Sequence, residues 1–160
     1  MRGVFALCIV GVLVSGLHAQ GTSTTTRRAP VDEMVAAGGP GWADLGNGLA
    51  GTLGVPQLAG TGTLLVGDPV QLELTQVGQQ LTGFLVYSCF DWMAPFKGGV
   101  MVPQPDFAIP FDTFGGGIVL GSLWPPGAAP GFTMFFQWWL VDPNGLYGWS
   151  ASNAVSAKQP

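Results

Sequence analysis

Few residues in this 160-residue chain are equipped for acid–base or nucleophilic chemistry. Asp91, Asp106, Asp112 and Asp142 fall in or beside turn-rich segments, and Glu33 and Glu73 are the only glutamates. Hydrolysis of a glycosidic bond needs two carboxyl groups about 5 to 9.5 Å apart across a cleft. Asp106 and Asp112 are the pair that a turn and a strand could bring together, which makes a small carboxylate-based hydrolase the least favoured of three functional readings. Asp142-Pro143-Asn144-Gly145 matches a type I turn position by position. It offers calcium two side-chain oxygens at most, fewer than that ion requires. Lys97 is the only Lys or Arg between Arg28 and Lys158, and Lys97-Gly98-Gly99 reads as a solvated hairpin tip. No strand–GxxxxGK–helix unit exists to cradle a phosphate.

The single histidine, His18, sits at the end of an export signal. Met1-Arg2 is followed by the apolar run Val4 to Leu17, which suits a signal-peptide core and is short for a membrane span. Leu17-His18-Ala19 resembles a cleavage site, so residues 1–19 are expected to leave, taking His18 and Cys8 with them. The remainder then has no imidazole for a Ser-His-Asp or Cys-His arrangement or for a His-bound zinc. No cofactor, no metal and no membrane insertion after cleavage are expected, and the product is placed outside the cytoplasm, secreted or in the periplasm or at the cell surface. Cys89 is left alone in an apolar stretch and reads as a small buried hydrophobe.

Aromatic residues are the more promising functional material. In Phe132 to Val141, one face of a strand carries Phe132, Met134, Phe136, Trp138 and Leu140, and the other carries Phe135, Gln137 and Trp139. A strand with one wet face has no need of Phe135 and Trp139, so that face is either covered or offered to a ligand. Trp92, Trp124 and Trp149 lie near strand ends or loops and, with Trp139, form the candidate ligand-binding platform. Such rings stack on the apolar faces of sugars and anchor protein contacts.

The elements that must carry these side chains are short strands. With 26 glycines, 13 prolines and only 9% charged residues, the composition disfavours helical bundles, coiled coils and an intrinsically disordered chain. Five Lys+Arg against nine Asp+Glu disfavours nucleic acid as a partner. Residues 20–41, with Thr22 to Thr26 and Arg27-Arg28, read as a disordered or loosely docked linker, with a turn or two of helix at Val31 to Ala37. From Trp42 to Lys158 the expectation is an antiparallel two-sheet sandwich of Ig-like or Greek-key type with seven or eight strands. Gly54 to Gly62 reads as an edge strand. Val70, Leu72 and Leu74 alternate with Gln71, Glu73 and Thr75 in a strand with one wet face. Leu81 to Phe90 reads as a central strand, followed by Val100 to Val102. Phe107 to Phe114 and Gly117 to Leu123 read as a hairpin through Gly115 to Gly117, and Tyr147 to Ala157 as the last strand.

The set Gly60-Thr61-Gly62-Thr63-Leu64, Gly67-Asp68-Pro69-Val70-Gln71-Leu72, Phe96 to Asp106, Phe136-Gln137-Trp138-Trp139 and Ser150-Ala151-Ser152-Asn153-Ala154 resembles a Gly-rich domain common, often C-terminally, in predicted secreted planctomycete proteins. The resemblance covers residues 45 to 158. It implies secretion, an all-β fold and a module often attached to other domains, and it carries no catalytic or ligand residue onto this chain. The sequence thus points to an exported, non-catalytic module that binds carbohydrate or a cell-envelope protein. A structural subunit that self-associates through apolar strand faces is the alternative.

Overall fold

The computed structural model describes residues 39–160; the expected signal peptide, the arm as far as residue 38 and the helical turns at 31–37 lie outside the described residues. The described chain is all-β, without a helix, and its paired strands are antiparallel. It has eleven strands rather than seven or eight: β1 (Trp42–Gly46), β2 (Gln57–Thr61), β3 (Pro69–Thr75), β4 (Thr82–Ser88), β5 (Asp91–Phe96), β6 (Gly99–Pro103), β7 (Phe107–Asp112), β8 (Ile118–Leu123), β9 (Thr133–Leu146), β10 (Trp149–Ala151) and β11 (Ala154–Lys158). The main sheet runs β1-β11-β9-β4-β7, with β10 also beside β9. A second sheet runs β2-β3-β8, and β5-β6 is a separate hairpin.

Strand β9 organises the molecule. Its Met134, Phe136, Trp138 and Leu140 enter the larger apolar core together with Leu72 and Leu74 of β3, Leu58 of β2 and Leu85 and Tyr87 of β4. That core therefore takes side chains from both sheets, and the alternation of β3 delivers its apolar residues to it as expected. On the other face of the main sheet, Trp139, Val86, Met101 and Ala151 form a smaller core, with Phe84, Phe96 and Trp149 packed against it. The hairpin β5-β6 is what covers the second apolar face of β9, and it explains why that strand needs large residues on both sides.

Two buried side-chain amides fasten these layers. Gln137 Oε1 accepts from the Val102 N–H (3.0 Å) and from Trp139 Nε1 (3.1 Å). Its Nε2 donates to the Val100, Asn47 and Ser152 carbonyls. Asn153 does the same between the two larger sheets: its Oδ1 accepts from the Leu58 N–H (2.7 Å), and its Nδ2 donates to the Leu58 carbonyl and to Asp44, each at 3.0 Å. The amide stands in for a neighbouring strand at the outer edge of β2. Satisfying such buried groups is obligatory, because an unpaired one costs about 1–3 kcal/mol.

Several expectations are corrected. Phe107 to Phe114 and Gly117 to Leu123 meet only at the Phe114–Gly117 bridge and form no hairpin: β7 pairs with β4 and β8 with β3. Gly115 and Gly116, both at positive φ (73° and 88°), carry the chain from one sheet to the other. Asp142 to Gly145 is not the hairpin turn; β9 continues to Leu146 and reverses at Tyr147-Gly148. The Asp142 side chain is buried and committed inward, so it cannot head an exposed turn. Tyr147 to Ala157 is split into β10 and β11, because Ser152 and Asn153 turn inward to bond Trp138 and Leu58. Cys89 is exposed, lying just past the end of β4 where the strand leaves the core.

Candidate functional site

The structure separates the four predicted tryptophans. Trp124 and Trp139 are each only 1% exposed and offer no surface to a ligand. Trp124 follows β8 in a proline-rich loop, but its backbone pairs with the 65–68 turn through Asp68 and Gly67. Its Nε1 donates to Gln159 Oε1 (3.0 Å), which seats the indole in the core. Trp139 is roofed by Phe96, whose ring meets it edge-on at 4.9 Å. Trp92 and Trp149 remain, the first exposed and the second half-buried.

Both surviving tryptophans belong to the layer built by β5, β6 and the β9–β10 turn. There the chain reverses twice on the same two-residue pattern. Lys97 and Gly98 hold φ of 46° and 86°, and Tyr147 and Gly148 hold 52° and 77°. Paired left-handed residues are what a tight hairpin needs to match strand twist. The two tips abut: a Cβ on Gly98 would lie 2.5 Å from the Leu146 side chain and 3.0 Å from the Tyr147 ring. Only glycine at 98 lets the tips touch.

Rings connect this surface to the interior. Phe96 contacts Trp139 below and Trp149 beside it, and Trp149 also meets Phe84. The Lys97 ammonium lies 5.4 Å from the Trp149 ring and 5.9 Å from Phe96, within cation–π range. Tyr147 stands outside this stack, 76% exposed. A bulky residue at positive φ is an outlier that costs about 1–3 kcal/mol and concentrates at functional positions. Sequence reasoning placed Lys97 at a hairpin tip but missed Tyr147. The signal was there as a single residue before Gly148 between two apolar segments, and the stronger turn chemistry of Asp142 to Gly145 masked it.

At the other end of the hairpin, β5 slips register between Asp91 and Ala94, and Met93 takes a φ of 52°. This bulge turns Phe90, Trp92 and Met93 outward at 54%, 53% and 52% exposure.

Asp106 and Asp112 do not converge. Asp106 precedes β7 and Asp112 ends it, so a fully extended strand separates them by about 20 Å at the usual rise. Each is engaged locally, Asp106 by Ser88 and Gln104 and Asp112 by Thr82. Among the described residues Asp142 is the one buried carboxylate. Burial alone would raise its pKa, but hydrogen bonds from the Thr52 hydroxyl and N–H, the Asn144 N–H and the Ser150 side chain outweigh that and hold it below the usual carboxylate range. Gly51 permits this, since a Cβ there would meet the Asp142 carboxylate and Ser150. The arrangement pins the 51–52 loop to the β9–β10 hairpin. Among the described residues no three His, Cys, Asp or Glu side chains gather as a metal site.

Comparison with known proteins finds no matching family model, no curated protein and no solved structure similar to the chain.

Proposed function

We propose that this chain is an exported, non-catalytic binding module of β-sandwich architecture that takes a carbohydrate on the joined hairpin tips. Tyr147 and the half-buried Trp149 supply ring surface, and Lys97, whose ammonium lies over the Trp149 ring, supplies a donor for ring hydroxyls. The observation that carries this reading is Tyr147, held at positive φ and 76% exposed where glycine would be more comfortable. An exposed ring on an unfavourable backbone contributes little to stability, which favours a task in solvent. The resemblance to secreted planctomycete domains agrees with an exported module and supplies no ligand.

The test is titration of the protein with a panel of neutral and acidic oligosaccharides, followed by tryptophan fluorescence. A saturable change is expected for at least one glycan, with affinity reduced tenfold or more in Tyr147→Gly. The same variant should be more stable by about 1 kcal/mol, because the left-handed strain is relieved. Undiminished binding by the variant, or no response across the panel, overturns the reading. The exposed triple Phe90, Trp92 and Met93 favours a second reading, self-association through the base of the hairpin. A stable oligomer that becomes monomeric in Trp92→Ser, with no glycan bound by either form, would establish that instead.

A further inference from the structure

On the opposite side of the main sheet the larger core is incomplete. An apolar cavity of about 70 Å³ lies between β8 of the small sheet and β7, β4 and β9 of the main one. Its walls include Val70, Leu120, Ile109 and Phe111, with Trp124 at one end. Side chains that alternate inward on β7 and β8 should be fully covered, yet Ile109, Phe111, Ile118 and Leu120 are only partly buried. Elsewhere the two sheets are sewn together: Asn153 bridges to β2, and the Trp42 indole N–H donates to the Gly62 carbonyl at 3.1 Å. The mouth therefore opens between the edge strands β7 and β8.

Protein interiors are normally packed to the density of organic crystals, and apolar cavities stay dry and take up apolar molecules. We propose that this slot binds a single aliphatic chain carrying an uncharged head, such as an alkyl alcohol or the tail of a neutral lipid. Its volume is about half that of the roughly 150 Å³ cavity that admits a benzene ring, so it encloses only a short stretch of a slender chain, the rest of which leaves through the mouth. The lining excludes a sugar, being almost wholly apolar. A fatty-acid carboxylate finds no counter-charge: the cations among the described residues are Lys97 and Lys158, neither of which lines the slot, and Asp112 ends β7. At the mouth the half-buried Ser122 hydroxyl can accept from an alcohol. The inference is independent of the ring platform, which lies on the other face of the sheet.

The experiment titrates the full chain with n-alkanols from butanol to octanol, following the methyl resonances of Val70, Ile109 and Leu120. Saturable shifts at those methyls are expected, with affinity rising with chain length. Leu120→Phe and Ile109→Phe should fill the slot and weaken octanol binding at least tenfold while the chain stays folded. Should one variant fail to fold, the other and the chain-length series in the parent still decide. No saturable shift in the parent, shifts confined to Tyr147 and Trp149, or undiminished binding by a folded filled variant would each overturn the proposal. A dimer that broadens the same methyls and takes up no alkanol would overturn it in favour of a second copy of the chain.

Discussion

The two faces of β9 are closed by different means. Toward the β2-β3-β8 sheet, closure is apolar, fastened at the β2 edge by Asn153 and left open between β7 and β8. Toward the β5-β6 hairpin, the apolar contact is small, and the layer is held by Gln137, which bonds five partners on three segments and within β9 itself. A hairpin alone buries too little to stay in place. A fully satisfied polar network supplies both the attachment and its register. The comparison teaches that apolar area secures the body of this fold, whereas directional hydrogen bonds aim the layer that presents its side chains to solvent.

The strongest way to break that contrast is Gln137→Leu. It leaves the Val102 N–H and Trp139 Nε1 without their acceptor in a buried setting, at an expected cost of about 3 kcal/mol. Urea unfolding should show the lower midpoint, and hydrogen exchange should show the amides of Val100 to Val102 losing protection first. An unchanged midpoint would mean that apolar contact alone holds the hairpin.

Asn153→Ala attacks the other closure. Leu58 loses the side chain that pairs its N–H and carbonyl at the outer edge of β2, for an expected loss of about 2 kcal/mol. Exchange should accelerate in β2 while the hairpin amides keep their protection. If both regions loosened together, the two closures would be one cooperative unit.

How far the sequence revealed this arrangement depends on which force governs each element. The strict alternation of β3 and the double-sided apolar content of β9 were legible because burial itself writes the pattern. Strand β1 was not, since only Trp42 of its five residues is buried and an edge strand needs no alternation. Strand β5 was missed because its bulge breaks the period and Pro95 reads as a breaker. Among the tryptophans, nearness to a loop failed as a guide to exposure. Trp124 is drawn in by Gln159, a partner 35 residues away that no local pattern announces. The joined tips were invisible for the same reason: Gly98 meets Leu146 only after both hairpins have formed.

Acid acts on the polar fastening alone, and only modestly. The Asp142 carboxyl sits lower in the fold than in the unfolded chain. Its contribution is therefore complete above the ordinary aspartate value of about 3.9 and is lost as pH falls through the lower folded value. Unfolding free energies measured from pH 5 to pH 2 should decline less steeply in Asp142→Asn than in the parent. Equal slopes would show that the tie between the 51–52 loop and the β9–β10 hairpin does not depend on charge.

The described chain enters and leaves its fold at adjacent points: the Lys158 N–H donates to the Gly41 carbonyl at 2.8 Å, and β1 pairs antiparallel with β11 from Trp42↔Ala157 onward. Tension drawn through residues 41 and 158 would load these hydrogen bonds one after another instead of all at once. Under a mechanical pull the strands would peel apart like a zip from that corner, so the domain yields softly to force however well its interior resists heat or denaturant.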